Sequence, residues 1–292
     1  MKINKIYPAY FLFPAIFFYF ILFVVPSTVG QYFAFTDWNA FTDEIHFIGL
    51  QNFKDLFSDA SSAYYGSIKN TLSFTIVTVI AKNVLGLLIA LALNKGIRGT
   101  NILRSIYFFP VALAPLAIGL LFNAMLNFDT GIVNILLNKI GLGIFAREWL
   151  VDLRYVMGSI AVVDIWRSTG FCMVIYLAGL QGIPKDLYES CMMDGAGPIR
   201  TFRNITLPLI VPSINVNIFF SIVGGLKVFD IIIALTKGGP GTSSQVLNTM
   251  VYRELGAGRY GMGTALGLVL FVIISIVSVL ALAFGKSKEV EL

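Results

Sequence analysis

The chain has 292 residues, of which 57% are hydrophobic and 13% charged, and its mean hydropathy is +0.82. Its apolar runs are too long for a soluble core, so the composition predicts an all-α, polytopic membrane protein. The net charge of +5 comes mostly from cations that flank apolar segments, which topology explains better than nucleic-acid binding. With two cysteines and one histidine, neither a disulfide framework nor a metal site is expected.

Six apolar segments are predicted to cross the membrane as helices and to form one domain, 1–292. Their approximate bounds are 7–29, 68–93, 104–126, 156–180, 207–233 and 264–284. We expect the first to be a retained helix, because it lacks the shorter apolar core and small-residue cleavage site of a signal peptide. Pro110 and Pro115 interrupt the third segment.

The cations predict the orientation of these spans. Lys95, Arg98 and Arg104 lie in or next to the short connection between the second and third spans, which places that connection in the cytoplasm. Lysines near both ends of the chain predict that both termini are cytoplasmic. The loop before the fourth span is then external, although it also carries three cations among its acids.

The most polar run in the C-terminal half, residues 181–206, connects the fourth and fifth spans. Pro184 favours the start of a helix, and Gly195 favours its end because glycine readily adopts a positive φ. A second short helix is predicted from Pro198. The pattern therefore predicts a helix, a bend and a helix at a membrane surface, an element suited to contact with a partner protein.

The run from Glu189 to Pro208 resembles the Glu-Ala-Ala loop of ABC-importer permeases, the coupling helix that docks into the ATPase subunit. Two residues differ from the motif, since Ser190 and Cys191 replace its alanines with side chains small enough for the same space. The resemblance implies that the residues coupling this chain to an ATPase are Glu189, Ser190, Cys191, Asp194, Gly195, Ala196, Leu207 and Pro208.

Other segments extend the resemblance over nearly the whole chain; they are 35–38, 49–53, 93–99, 178–184 and 235–240. The last segment contains Gly238, Gly239 and Pro240 in a predicted external loop, and it resembles the signature loop of carbohydrate-importer permeases. Two glycines before a proline allow a sharp turn, and such a loop is suited to touch a docked binding protein. The likeness is to the larger permease subunit of maltose importers.

What this resemblance implies is the permease subunit of a binding-protein-dependent ABC importer for sugars or oligosaccharides. The implied partners are a second homologous permease, an ABC ATPase dimer that binds ATP and Mg²⁺, and an extracellular or periplasmic solute-binding protein. The implied location is the cytoplasmic membrane of a bacterium or archaeon. We expect no cofactor and no enzymatic activity in this chain, because its one dinucleotide-like pattern, residues 256–261, does not follow a strand.

Polar residues within the predicted spans are the candidates for a substrate path, because ionisable groups in hydrocarbon are costly and usually functional. These are Asp164, Trp166, Arg167, Asn215, Asn217, Lys227 and Asp230, with Lys82, Asn83 and Asn123 in the same class. Amides and carboxylates suit sugar hydroxyls, and an indole suits the apolar face of a sugar ring. Alternatively, the pairs Asp164/Arg167 and Lys227/Asp230 neutralise themselves locally, since residues three apart share a helix face.

The residues alone leave other functions open. An ABC permease for a polyol, a glycerophosphodiester or a peptide has the same general features. An ATP-independent secondary transporter or channel predicts uptake that survives both ATP depletion and loss of Glu189, and it offers no reason for the polar helix and bend. A third alternative, a membrane-embedded enzyme, would need a set of catalytic residues, and the sequence offers none.

Overall fold

A computed structural model describes residues 10, 12–58, 63–96 and 98–286, and within these ranges the chain is almost entirely helical. The α-helices are α1 (Leu12–Tyr19), α2 (Val25–Phe33), α3 (Gln51–Phe57), α4 (Ala63–Asn94), α5 (Thr100–Ala112), α6 (Pro115–Met125), α7 (Ile132–Lys139), α8 (Val156–Gln181), α9 (Lys185–Met193), α10 (Pro198–Thr201), α11 (Leu207–Leu209), α12 (Val211–Leu226), α13 (Asp230–Thr236), α14 (Leu247–Gly256) and α15 (Tyr260–Lys286). π-Helical turns at Phe20–Val24 and Phe202–Thr206 join their flanking helices. Residues 7–9 and 11 of the predicted first span lie outside the described residues.

Among the described residues, four helical segments are long and apolar enough to cross a membrane: Leu12–Phe33, Ala63–Asn94, Val156–Gln181 and Tyr260–Ala281. Two further spans result if each of two bent pairs crosses as one unit. α5 and α6 meet at 95°, and the segment Pro198–Leu209 meets α12 at 67°. The predicted helical, multi-span fold is therefore confirmed, and a count of six requires both bent pairs to span.

Prolines account for both bends. At the first bend, Leu113 and Ala114 are extended, with ψ of 143° and 130°, directly before Pro115. A proline disfavours the helical conformation of the residue before it and removes a backbone donor. At the second bend, Ile210 leaves the helical region, with φ −92° and ψ 3°, two residues before Pro212.

The predicted fifth span, 207–233, is not one continuous helix. α12 ends at Leu226, and α13 begins at Asp230 after Phe229 has adopted φ −149° and ψ −67°. Gly224 and Gly225 lie just before this break, where their low helix propensity weakens the last turn of α12. The apolar run 207–233 therefore did not predict the break in the helix.

One compact unit contains the described residues up to Tyr65 together with Met250–Phe271. Within it, the loop after α2 lies against the start of α15. The Gly261 amide donates to the Trp38 carbonyl at 2.8 Å, the Ala40 amide donates to the Gly258 carbonyl at 2.8 Å, and the Trp38 and Tyr260 rings lie 4.7 Å apart. The loop after α2, predicted to be external, is thus an ordered part of this unit.

The second unit contains residues 66–249 and the rest of α15, and it has two buried apolar clusters. The first cluster joins α4, α6, the start of α8 and α13; its members include Phe74, Ile118, Val156, Ile160, Val163, Ile231 and Ile232. The second cluster joins the ends of α4 and α8 to Ile210; its members include Ala90, Leu93, Met173, Tyr176, Leu177, Leu180, Ile183 and Ile210. This second cluster lies directly beneath the connection 181–206.

Helices α5 and α8 make a close backbone approach at Gly170, where a Cβ atom would lie 2.0 Å from the carbonyl oxygen of Tyr107. Gly170→Ala is therefore expected to force the helices apart and to cost about 1–3 kcal/mol of stability, as overpacking of a tight contact does. The measurement is the apparent melting temperature of the purified protein. Gly158→Ala on the same helix is the matched control, because a Cβ at Gly158 meets nothing within 4 Å. Equal melting temperatures for the two variants would contradict the expected clash.

Candidate functional site

The connection 181–206 folds as the predicted helix, bend and helix. Pro184 precedes α9, and Gly195 ends it with φ +73°. The Gly195 amide donates to the Met192 carbonyl at 3.0 Å and the Ala196 amide to the Cys191 carbonyl at 3.1 Å, which satisfies carbonyls that the last turn leaves unpaired. α10 then begins at Pro198. The local signals in the sequence therefore predicted this element correctly.

Side-chain contacts attach α9 to the helices on either side of the connection. The Tyr188 hydroxyl lies 3.2 Å from the Thr206 hydroxyl, and the Cys191 thiol lies 3.6 Å from the Thr201 hydroxyl. Leu187 and Tyr188 also pack against the second apolar cluster. These contacts hold α9 against α10, against the π-helical turn that follows it and against the second apolar cluster.

The outer surface of this connection carries apolar side chains that the sequence reasoning did not select. Met193 is 88% exposed, Ile199 85% and Met192 64%. The carboxylates of Glu189 and Asp194 are exposed on the same connection. Large exposed apolar groups among charges are typical of protein interaction surfaces. The adjacent methionines in an otherwise polar run were the signal that could have identified this surface.

The other predicted coupling residues occupy two environments. Ser190 and Gly195 are exposed, and the Ser190 hydroxyl donates to the Asp186 carbonyl at 2.8 Å. Those that are partly buried are Cys191, Ala196, Leu207 and Pro208. The exposed members are available to a partner, whereas the partly buried members shape the element from within.

A buried ion pair crosses from α4 to α8. The Lys82 ammonium lies 2.5 Å from the Asp164 carboxylate, and each residue is only 5% exposed. The Arg167 guanidinium lies 3.6 Å from the other oxygen of Asp164, so the predicted pair on α8 is present but is the longer of the two. The cluster contains two cations and one carboxylate. The Arg167 side chain is 24% exposed, compared with 6% for that of Lys82.

A buried polar network links α4, α8 and α12 in the second unit. Asn217 is fully buried, and its amide donates to the Cys172 carbonyl at 3.1 Å. The Tyr176 hydroxyl donates to the Asn83 side-chain oxygen at 2.6 Å, and the Asn83 amide donates to the Ser221 hydroxyl at 3.2 Å. In this conformation Asn217 therefore holds helices together and does not face an open path.

Lys227 and Asp230 lie on either side of the break in the predicted fifth span. Lys227 follows the end of α12 and Asp230 is the first residue of α13, so the expectation that they share one helix face is wrong. Both residues are exposed, and no ion pair joins them within the described part of the chain. The sequence spacing failed here because it assumed an unbroken helix.

The two remaining path candidates, Trp166 and Asn215, are partly exposed. Trp166 is 46% exposed, and its ring packs 5.2 Å from that of Phe122, whereas Asn215 is half-buried on α12. Asn123, from the same class of intramembrane polar residues, donates to the Leu235 carbonyl at 2.6 Å. Among the described residues, no group of three His, Cys, Asp or Glu side chains is arranged to hold a metal ion.

The glycine-rich loop after α13 is ordered. Gly238 has φ +87°, and the Gly239 amide donates to the Thr236 carbonyl at 2.9 Å before a cis peptide bond to Pro240. Asn70 of α4 donates to two carbonyls farther along the loop, at 2.8 and 2.9 Å. This predicted external loop is therefore a shaped surface attached to α4.

Several apolar helices with polar groups buried between them are typical of a multi-pass membrane protein that takes part in transport. Residues 82–289 match the family model described as binding-protein-dependent transport system inner membrane component. The match covers most of the chain, so the chain belongs to this family of transport permease subunits.

Individual relatives agree with that assignment. The chain is 33% identical to the multiple sugar-binding transport system permease protein MsmF of Streptococcus mutans, over 94% of this chain and 92% of that protein. It is 34% identical to the trehalose/maltose transport system permease protein MalF of Thermococcus litoralis, over 85% and 83% of the two chains. It superposes with a TM-score of 0.82 on a chain of a bacterial ABC transporter involved in alginate import, with 28% identity and coverage of 95% and 94%. The predicted resemblance to carbohydrate-uptake ABC permeases is confirmed.

Proposed function

We propose that this chain forms the translocation path of a binding-protein-dependent ABC importer for sugars or oligosaccharides. The observation that carries the proposal is the match over nearly the full length to permeases named for sugar transport. The proposed topology is a single domain, 1–292, with six spans and both termini in the cytoplasm. In this topology both bent helix pairs are spans, and the connection 181–206 is cytoplasmic.

The proposed partners are a second homologous permease, an ABC ATPase dimer that binds ATP and Mg²⁺, and an external solute-binding protein. The proposed location is the cytoplasmic membrane of a bacterium or archaeon. The first span supports a permease partner, since none of its best apolar window, within Leu12–Phe33, is buried. That helix is available to lipid and to a neighbouring permease.

Coupling to ATP is proposed to occur through α9 and its exposed apolar side chains. ATP-driven closure of the ATPase dimer would displace α9, and the contacts of Leu187 and Tyr188 with the second apolar cluster would carry the displacement to α8 and α12. The membrane helices would then alternate between outward-open and inward-open states. A ligand shifts such an equilibrium only by contacting the two states differently, and the docked α9 is the proposed site of that difference.

The break between α12 and α13 is proposed as part of the substrate path. Discontinuous membrane helices often form transporter binding sites, because the interrupted backbone and its side chains face a cavity. Lys227 and Asp230 are exposed at this break, while Arg167 and Trp166 are partly exposed on α8. We assign hydroxyl binding to these charged groups and ring stacking to Trp166. Asp164 and Asn217 would position the helices rather than contact solute.

The loop containing Gly238, Gly239 and Pro240 is proposed to contact the binding protein. Its hydrogen bonds to Asn70 give it a defined shape. An ordered loop loses less conformational entropy on binding than a mobile one does.

The test is ATP-dependent uptake by the importer assembled in liposomes with its binding protein. Wild type is expected to accumulate a labelled oligosaccharide only with ATP, and Glu189→Ala is expected to lose most of this uptake because an exposed coupling residue is removed. Glu148→Ala is the control, since Glu148 is exposed in a different loop. Uptake that persists without ATP and in Glu189→Ala would instead identify a secondary transporter. Stronger competition by a polyol, glycerophosphodiester or peptide than by any sugar would overturn the proposed substrate class.

A further inference from the structure

A crevice of about 460 Å³ lies in the second unit where α6, α7 and the start of α8 meet. Phe122 and Leu126 contribute from α6, Gly158 and Val162 from α8, and Trp149 and Arg154 from the loop before α8. Its volume is typical of sites for small ligands, which span about 300–1,000 Å³. None of the residues assigned to coupling or to the substrate path lines this crevice, although the Trp166 ring packs against Phe122 in its wall.

The crevice is open on its α8 side and apolar within. A Cβ atom at Gly158 would meet nothing within 4 Å, and Val162 one turn later is 65% exposed. Few polar groups line it, and most of them belong to residues that precede Val162 in the chain. An occupant rich in hydroxyl groups would find few partners here, whereas a hydrocarbon chain would be well accommodated.

A cation without a carboxylate partner stands at the polar end of the crevice. Arg154 is exposed, and within the described part of the chain its guanidinium has no ion pair. The neighbouring Asp152 carboxylate accepts the backbone amide of Arg154 at 2.8 Å. Arg154 therefore presents an available positive charge directly above an apolar cavity.

Aromatic residues place this end of the crevice at the membrane boundary. Trp149 and Tyr155 line it just before the candidate span Val156–Gln181 begins, and such residues are enriched where a span meets the headgroup region. The Trp149 indole is held in place because it donates to the Asn134 side-chain oxygen at 2.8 Å. The charged end therefore lies at headgroup level and the apolar part at acyl-chain level.

We propose that this crevice binds an anionic phospholipid, with one acyl chain between α6 and α8 and the phosphate paired with Arg154. Charge complementarity selects this occupant, since a phosphate supplies the acceptor that Arg154 lacks and Arg side chains bind phosphates well. The site is independent of the transported solute, so it goes beyond the proposed sugar transport.

The experiment measures lipid bound to the purified chain and its co-purifying subunits after incorporation into nanodiscs of mixed phosphatidylglycerol and phosphatidylcholine. Native mass spectrometry counts each retained lipid. Arg154→Gln is expected to lower the ratio of retained phosphatidylglycerol to phosphatidylcholine threefold or more. Gly158→Leu is expected to lower retention of both lipids by a similar factor, because leucine fills the open space in α8 without straining the helix.

Two matched controls separate the site from general effects. Arg147→Gln removes a second exposed arginine of the same loop, and Gly267→Leu fills a helical glycine that also has nothing within 4 Å of its Cβ position. Both are expected to retain lipid like wild type. The proposal is overturned if Arg154→Gln and Gly158→Leu match these controls. It is also overturned if Gly158→Leu lowers the yield of a partner subunit while lipid retention stays constant, since the crevice would then be a subunit interface.

Discussion

Gly195→Pro is expected to abolish co-purification of an ATPase with this chain and the stimulation of ATP hydrolysis by solute. Gly195 has φ +73°, whereas proline requires a φ near about −65°. Its amide also donates to the Met192 carbonyl at 3.0 Å, and proline lacks this donor. The substitution therefore destroys the end of α9 and changes the direction in which the chain enters α10, the two helices that carry the exposed Met193 and Ile199.

Gly197→Pro is the matched control for this experiment. Gly197 already has φ −73° and an extended ψ of 168°, so proline fits its backbone conformation. We expect Gly197→Pro to co-purify with the ATPase and to show solute-stimulated hydrolysis like wild type. Equal behaviour of the two proline variants, or failure of wild type to co-purify with any ATPase, would refute coupling through α9. The monodispersity of each variant in detergent verifies that the membrane helices remain folded.

Asp164→Ala is expected to destabilise the protein by about 3–5 kcal/mol, the usual effect of removing one partner from a buried ion pair. The variant leaves the Lys82 ammonium 5% exposed without its carboxylate, which lies 2.5 Å away in the native pair. Replacing both partners, as in Lys82→Met with Asp164→Ala, removes the unpaired buried charge. The double variant is therefore expected to be more stable than Asp164→Ala alone.

Thermal unfolding of the purified variants in one detergent measures this order of stabilities. Asp230→Ala is the control, because Asp230 is exposed and is expected to contribute less than about 1 kcal/mol through its position in the first turn of α13. An apparent melting temperature for Asp164→Ala equal to that of Asp230→Ala would show that the buried pair does not stabilise the fold. A double variant less stable than Asp164→Ala would show that Lys82 acts through another contact.

The connection 181–206 illustrates which features local sequence can predict. Pro184, Gly195 and Pro198 each restrict or permit a particular backbone φ, and each occupies the position in the helix, bend and helix that those preferences predict. Such predictions succeed because the responsible forces act within a few residues.

The polar residues of the candidate path show where local reasoning fails. Spacing predicted the pair of Asp164 with Arg167, but the closer partner is Lys82, which is far away in sequence. Spacing also placed Lys227 and Asp230 on one helix that the structure breaks between them. Asn217 was predicted to line a path, and in this conformation it is buried between α8 and α12. Each outcome depends on which helices pack together.

The sequence by itself determined the membrane class, the positions of the apolar segments and the helix, bend and helix of the proposed coupling element. Hydrophobic length and backbone preference are properties of contiguous residues, so no tertiary contact is needed to predict them. The tertiary structure alone decided the partner of Asp164, the burial of Asn217 and the crevice beside Arg154. These features arise because helices distant in sequence must bury polar groups in pairs and leave gaps where their side chains do not meet.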